Sequence, residues 1–297
     1  MGTKKKNLAK TTGATGEAVR PLLRIPEGPV DLGSIDPRAT PGFDGDKVAG
    51  KAALPAVGEP LAELQERLYA QGKSDGHRRV LLVLQGMDTS GKGGVLRHSV
   101  GLIDPQGVRI SSFKAPNAEE RRHDFLWRIR RAVPEAGMVG VFDRSHYEDV
   151  LIARVRELTT RSAITRRYDA INRFEAELAD RGVTLLKCML HISAEEQKAR
   201  LLARLDDPTK HWKFNPGDID ERSQWRAYQE AYEIALERCN TPEAPWYVVP
   251  SDRKWYRNWA IATMLHEALE ELAPAWPPAD FDVAGERRRL VEEDPVT

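Results

Sequence analysis

Strands alternating with helices five times over predict an α/β fold for this 297-residue chain, a five-stranded parallel sheet with helices on both faces, three α/β/α layers in all. Three observations carry that expectation. Arg79-Val80-Leu81-Leu82-Val83-Leu84-Gln85 is a continuous apolar run of the kind buried on both faces of a parallel sheet. Shorter runs recur at 108–113, 138–142, 183–190 and 245–249. Helical patterns separate them, at 92–102, 118–132, across most of 145–180, at 194–205 and at 254–272.

The composition is that of a globular protein: 41% hydrophobic residues, 7% aromatics, and 45 Lys and Arg against 45 Asp and Glu. The length suffices to bury a sizeable core without a disulfide or metal clip. Cys188 and Cys239 stand far apart, with no His or Cys spaced as a metal-ligand partner, so both read as buried thiols of a reducing compartment. No stretch approaches the ~20 apolar residues of a membrane span, and Met1-Gly-Thr-Lys-Lys-Lys6 precedes no apolar segment, so the expected location is cytoplasmic with no membrane partner. Zero net charge argues against nucleic acid as a partner. Residues 121–213 nevertheless carry 19 Lys and Arg against 14 Asp and Glu, which leaves room for a local polyanion site.

Residues 1–57 are rich in Gly, Pro, Ala, Thr and Lys without periodicity and read as a flexible or loosely draped arm. Pro60 is expected to open a short helix with Leu61, Leu64 and Leu68 on one face, ended by Gly72. The folded domain is placed at 58–273, and the Pro-rich, charged 274–297 is read as a tail.

The first strand runs into Gly86-Met87-Asp88-Thr89-Ser90-Gly91-Lys92-Gly93-Gly94, which matches G-x-x-x-x-G-K. Glycines let successive backbone N–H groups turn inward around phosphate oxygens. The helix beginning near Lys92 adds its positive end, and the lysine adds a mobile cation. Gly93 stands where Ser or Thr usually offers a hydroxyl to Mg²⁺, so another oxygen must hold the metal. Asp88 is the candidate, with a turn-forming Asp as the bland alternative. Met138 to Asp143 is an apolar strand ending in an acid, which places the Asp143 carboxylate beside the cradle at the carboxyl ends of the strands; a solvent-facing helix cap is its bland alternative. Arg144 follows at once. Two basic stretches, 121–131 and Lys198 to Lys213, supply further charge, although such runs are usually solvated helix faces. Arg200 and Arg204 lie four apart on one helical face. The segment from about 204 to 220, bounded by Pro208 and Pro216-Gly217, reads as a lid closing over a phosphorylated substrate.

Together these motifs resemble the polyphosphate kinase 2 family, whose fold is similar to that of the P-loop nucleoside monophosphate kinases. The matching pieces are Gly86 to Gly94, Phe113-Lys114-Ala115-Pro116, His123 to Arg128, Phe142 to Val150, Arg204 to Lys213, and Pro245-Trp246, in order over roughly 60–272. The resemblance implies a P-loop kinase-like fold with a helical lid. It also implies reversible transfer of the terminal phosphoryl group of inorganic polyphosphate to a nucleotide, with Mg²⁺, or Mn²⁺ in its place, and a homo-oligomer. Carried onto this chain, Asp88 and Asp143 would hold the metal, Lys92 would contact the transferred phosphate, and Arg144 and Arg204 would neutralise its charge. Gly86, Met87, Thr89, Ser90, Gly91, Gly93 and Gly94, with Lys210 and Lys213 of the lid, would bind phosphate. Family members acting on diphosphates tend to carry Asn after the S-aromatic-Y element. Here Ser145-His146-Tyr147 is followed by Glu148, as in the monophosphate-accepting class, so AMP is the expected acceptor with ADP second. Glu148, Lys114, Asp124 and Arg128 are the residues implied in that selectivity.

Three competing functions share the cradle. A GTPase-type switch would need a guanine-reading N-K-x-D, which the sequence lacks. An ATP-dependent nucleoside or adenylylsulfate kinase would need ATP as donor. A P-loop protein that only binds nucleotide or polyphosphate would have no reason to keep Lys92, both acids and the lid cations together.

Overall fold

The computed structural model describes residues 13–294 and 296. Five parallel strands, β1 (Arg79–Gln85), β2 (Val108–Ser112), β3 (Val139–Asp143), β4 (Val183–His191) and β5 (Trp246–Pro250), form one sheet in the order β2-β3-β1-β4-β5. All five expected strands are present, each within about a residue of the expected bounds. The central strand β1 pairs with β3 through Leu84 opposite Asp143 and with β4 through Gln85 opposite Met189. Its apolar run divides by period two: Leu81 and Val83 enter one core, and Val80, Leu82 and Leu84 the other. Because β1 lies between β3 and β4, the chain reverses its direction of travel across the sheet there. The ends of β1 and β3 therefore open onto the crevice where open α/β sheets bind ligands.

The helices are α1 (Val19–Leu23), α2 (Lys47–Gly72), α3 (Lys92–His98), α4 (Trp127–Ala132), α5 (Ile152–Val155), α6 (Arg161–Asp180), α7 (Ala194–Leu205), α8 (Gly217–Ser223), α9 (Trp225–Arg238), α10 (Lys254–Leu272) and α11 (Val283–Glu292). The expected helix over 118–132 is broken. Asn117 and Glu120 hydrogen-bond each other's backbone, Asp124 accepts from Leu126 N–H, and continuous helix begins only at Trp127. Such local side-chain bonds compete with helical pairing.

The segment expected to be loosely draped differs most. Within its described part, Val19, Leu23, Leu32 and Phe43 are buried. Val19 and Arg20 N–H donate to the Glu267 carboxylate, Ile25 N–H donates to Trp246 O, and Phe43 meets Trp255 and Trp259 edge-on at 5.2 and 4.8 Å. A few well-placed apolar side chains thus tie down a stretch whose average composition is polar. Residues 1–12 of that expected arm lie outside the described residues. Helix α2 starts at Lys47, well before Pro60, because Asp46 accepts from Val48 and Ala49 N–H, both at 2.9 Å. Burial of Ala53, Leu61 and Leu68 outweighs the two N–H groups missing at Pro55 and Pro60. In the C-terminal stretch α11 forms with no buried residue. Among the described residues no helix is long and apolar enough to cross a membrane.

Candidate active site

The loop between β1 and α3 is shaped by two glycines. Gly86 has φ +147°, and a Cβ there would lie 2.7 Å from both Leu190 O and Ser90 Oγ. Gly91 has φ +114°, and its Cβ would strike the Arg257 guanidinium at 1.8 Å. Only glycine tolerates both the dihedral and the crowding. Thr89 also takes the left-handed region, with φ +63°. Lys92 folds back so that Nζ donates to Gly86 O at 2.8 Å. Burial lowers its pKa, against the opposing pull of Asp88 and Asp143.

From the neighbouring strand end, Arg144 takes φ +64° while its N–H donates to Leu84 O at 3.1 Å. This contact holds the turn after β3 against the end of β1. Arg144 Nη2 lies 3.1 Å from Asp88 Oδ1, and Nη1 lies 3.7 Å from Glu148 Oε2. Burial raises the pKa of Glu148, with Arg144 and Lys92 opposing it. With its nitrogen facing Glu148 Oε1 at 3.0 Å and its oxygen facing Ser145 Oγ at 2.9 Å, the buried Gln85 amide ties the two. Beneath them is a fully buried network: Lys187 Nζ donates to Glu175 Oε2 at 2.6 Å, to Cys239 O at 2.6 Å and to Tyr147 OH at 3.0 Å. Tyr147 OH in turn donates to Glu175 Oε1 at 2.9 Å. The Arg144–Glu148 turn therefore rests on a satisfied polar platform.

Gly86, Met87, Asp88, Arg144 and Glu148 line a cleft of about 240 Å³ together with Asn215, Gly217, Asp218, Glu221, Tyr228 and Tyr232. The Tyr232 hydroxyl accepts from Gly86 N–H at 3.1 Å. Burial raises the pKa of Asp218, with Asp88 the next cause, and both acids line this cleft. Asp88 and Asp143 are the carboxylates at the loop, both acting on Lys92. Among the described residues no group of three His, Cys, Asp or Glu could form a closed metal cage. One or two carboxylates beside a phosphate cradle suit a Mg²⁺ ion that takes the rest of its shell from phosphates and water.

The other implied residues are dispersed. Arg204 Nη1 donates to Lys213 O at 2.9 Å and lies 3.4 Å from Asp218 Oδ2, so its charge reaches the cleft only through Asp218. Lys210 pairs with Asp207 at 2.6 Å, and Lys213 Nζ sits over the Trp212 ring at 4.8 Å. Lys114, Asp124 and Arg128 do not line the cleft. Arg128 is buried, donating to Lys114 O at 2.7 Å, and Asp124 holds Arg130 at 3.0 Å. Arg200 shares a helix with Arg204, four residues away as expected, and is a buried clamp. It donates to Thr89 O and Ser90 O on one side and to Ser251 O and Asp252 O on the other.

Sequence reasoning missed Tyr228, Tyr232 and Glu221. The i, i+3, i+7 spacing of Trp225, Tyr228 and Tyr232 was the available signal for an aromatic helix face.

A family model described as Polyphosphate kinase 2 matches residues 45–275. The chain is 46% identical over 252 residues to the AMP/ADP-polyphosphate phosphotransferase of Meiothermus ruber, covering 85% of this chain and 93% of that one. It is 39% identical over 268 residues to the ADP-polyphosphate phosphotransferase of Rhodopseudomonas palustris, covering 86% and 91%. The crystal structure of polyphosphate kinase 2 from Arthrobacter aurescens superposes with a TM-score of 0.90 at 53% identity, over 93% of this chain and 97% of that one. The match runs through the 86–94 loop, the acid-ended strand β3 and the 204–220 segment, and the chain belongs to the polyphosphate kinase 2 family.

Proposed function

We propose that the protein transfers the terminal phosphoryl group of inorganic polyphosphate to AMP and ADP, reversibly and with Mg²⁺, in an assembly of more than one copy. The observation that carries this reading is the convergence of Asp88, Arg144 and Glu148 on one cleft at the ends of β1 and β3, with Lys92 folded onto the same loop at Gly86 O. The names of the relatives from Meiothermus ruber and Rhodopseudomonas palustris support the donor and both acceptors.

Phosphoryl transfer asks the protein for alignment and charge neutralisation more than for covalent chemistry. A phosphate oxygen of the acceptor attacks the terminal phosphorus while the bridging P–O bond to the rest of the chain breaks, leaving polyphosphate one residue shorter. The 86–94 backbone orients the donor end. Lys92 exchanges its bond to Gly86 O for a phosphate oxygen, and Arg144, already aimed across the loop, offsets charge building on the transferred group. Asp88 and Asp143 would hold Mg²⁺, which supplies further neutralisation of the phosphate oxygens when bound. Arg204 would leave Asp218 for phosphate as the 204–220 segment closes. Glu148, half-buried beside Arg144, would favour the smaller acceptor.

The test is incubation of the pure protein with long-chain polyphosphate, Mg²⁺ and each of AMP, ADP, GMP and GDP, without added ATP. ADP followed by ATP is the expected outcome from AMP. Product formed only after ATP is supplied would establish an ATP-dependent kinase instead, and nucleotide binding without turnover a binding protein.

A further inference from the structure

Helix α7 follows β4 and ends where the 204–220 segment begins. Its residues Gln197, Arg200 and Arg204 fall at i, i+3 and i+7 and so share one face. Arg200 is clamped on Thr89 O and Ser90 O at 2.9 and 3.1 Å, and Arg204 lies 3.4 Å from Asp218 of α8. Gln197, only 2% exposed at the edge of the cleft, bonds in both directions. Its Nε2 donates to Asp88 O at 3.1 Å, and its Oε1 accepts from Arg222 Nη1 of α8 at 2.9 Å. Arg222 Nη1 also donates to Ala194 O at 2.7 Å. Among the described residues no other side chain hydrogen-bonds both the 86–94 loop and α8.

The residue type fits that position. A guanidinium only donates and a peptide carbonyl only accepts, so a side chain between them must present an acceptor at one tip and a donor at the other. A primary amide does both, and these two neighbours leave it one orientation. The carboxylate of Glu, at the same length, would still satisfy Arg222 but would turn an oxygen on Asp88 O. The loop also needs to be held there. Thr89 is β-branched and takes φ +63°, a conformation that persists for such a residue only when its surroundings fix it. Gln197 grips the carbonyl before Thr89, and Arg200 grips the carbonyl after it.

We propose that Gln197 is a positioning residue that ties the conformation of the phosphate loop to that of α8, so that a donor seated in the loop draws the 204–220 segment closed. The inference rests on the transfer reaction proposed above and on that segment being its lid. Phosphate oxygens that take the inward N–H groups of the loop also fix the Asp88–Thr89 peptide. Through Gln197 the same peptide fixes Arg222, and with it the helix that carries Asp218 and Glu221 into the cleft. Such coupling is reciprocal, so a closed segment in turn steadies the loop around the donor.

Trypsin reads the segment directly, at the exposed Lys210 and Lys213. Saturating long-chain polyphosphate with Mg²⁺ and no nucleotide should slow cleavage there about tenfold in the wild-type protein, but less than about twofold in Gln197→Leu and in Gln197→Glu. The second variant keeps Arg222 paired and loses only Asp88 O. Arg222→Met should match them, and Gln197→Leu/Arg222→Met should lose nothing more, because both changes break one chain of contacts. Arg222→Lys should restore most of the protection, since an ammonium can still donate to Gln197 Oε1. In the unprotected variants kcat should fall about tenfold, because closure completes the site after the donor has bound. A purely structural role would lower the melting temperature and speed cleavage equally with and without polyphosphate. That unchanged ratio, wild-type behaviour of Gln197→Glu, or additive losses in the double variant would each overturn the proposal. Wild-type protein whose cleavage polyphosphate does not slow would overturn the lid and the coupling together. Protection that depends on Gln197 in a protein that transfers no phosphate would overturn the transfer reaction and leave the coupling standing.

Discussion

Two glycines that admit no side chain, two non-glycine residues at positive φ and a buried Lys187–Glu175–Tyr147 platform hold the loop and the Arg144 turn. Across the same cleft, the 204–223 segment is held by Arg204 on Lys213 O, Lys210 on Asp207 and Arg156 on Glu221, at or near the surface. Partly exposed pairs of that kind contribute little and are screened by salt. The loop and the Arg144 turn are therefore fixed by backbone geometry and buried bonds, and the 204–223 segment is held more by exchangeable surface pairs, with Arg222 on Ala194 O and Gln197 Oε1 its part-buried anchor. The same contrast explains why Lys92 and Arg144 already point at the loop whereas the lid cations are occupied within the lid.

If that contrast holds, the largest loss of activity comes from the loop and the Arg144 turn. Lys92→Ala should lower kcat about a thousandfold, roughly 4 kcal/mol of transition-state stabilisation, with an unchanged melting curve because Nζ bonds only to Gly86 O. Retention of more than about a tenth of the wild-type rate would remove Lys92 from the reaction.

An intermediate effect is expected at Glu148. Replacement by Asn should lower the AMP-to-ADP ratio of kcat/KM about tenfold, equivalent to about 1.4 kcal/mol. The raised pKa adds a pH signature. If the carboxylate is the working form, the wild-type acidic limb lies above the ordinary Glu range and activity falls as pH drops through it. Glu148→Asn should lose that limb. A parallel fall for both acceptors would instead make Glu148 a support for Arg144, which lies 3.7 Å away.

The smallest effects belong to the lid and test whether its two ends differ. Arg204→Ala should lower kcat by about tenfold or less, since Arg204 already borders the cleft through Asp218. Lys213→Ala, over Trp212 on the outer side, should raise KM for polyphosphate by only a few-fold. Identical small changes in both would make the segment a solvated basic face.

The strand runs and the Gly86–Gly94 loop were legible in the sequence for local reasons: a strand buried on both faces must be continuously apolar, and a loop lining itself with N–H groups must be glycine-rich. The acid ending β3 was legible because it closes an apolar run of its own, at the strand end where such sheets bind ligands. Contacts that join distant segments were not. The 13–43 stretch looked loose because its order depends on Glu267, Trp246, Trp255 and Trp259, more than 200 residues away. Arg128 and Arg200 belong to the basic stretches, and only folding shows Arg128 held by Lys114 O, Glu120 and Asp149, and Arg200 by backbone carbonyls and Glu196.

The sequence by itself determined the fold class, the glycine-rich loop after β1 and the acid that ends β3, because strand burial and loop geometry are written in runs of fewer than about ten residues. The tertiary structure alone decided which charges face the cleft and which are consumed as clamps. That outcome depends on which carbonyls lie within reach of each guanidinium, and this is not encoded in any one segment.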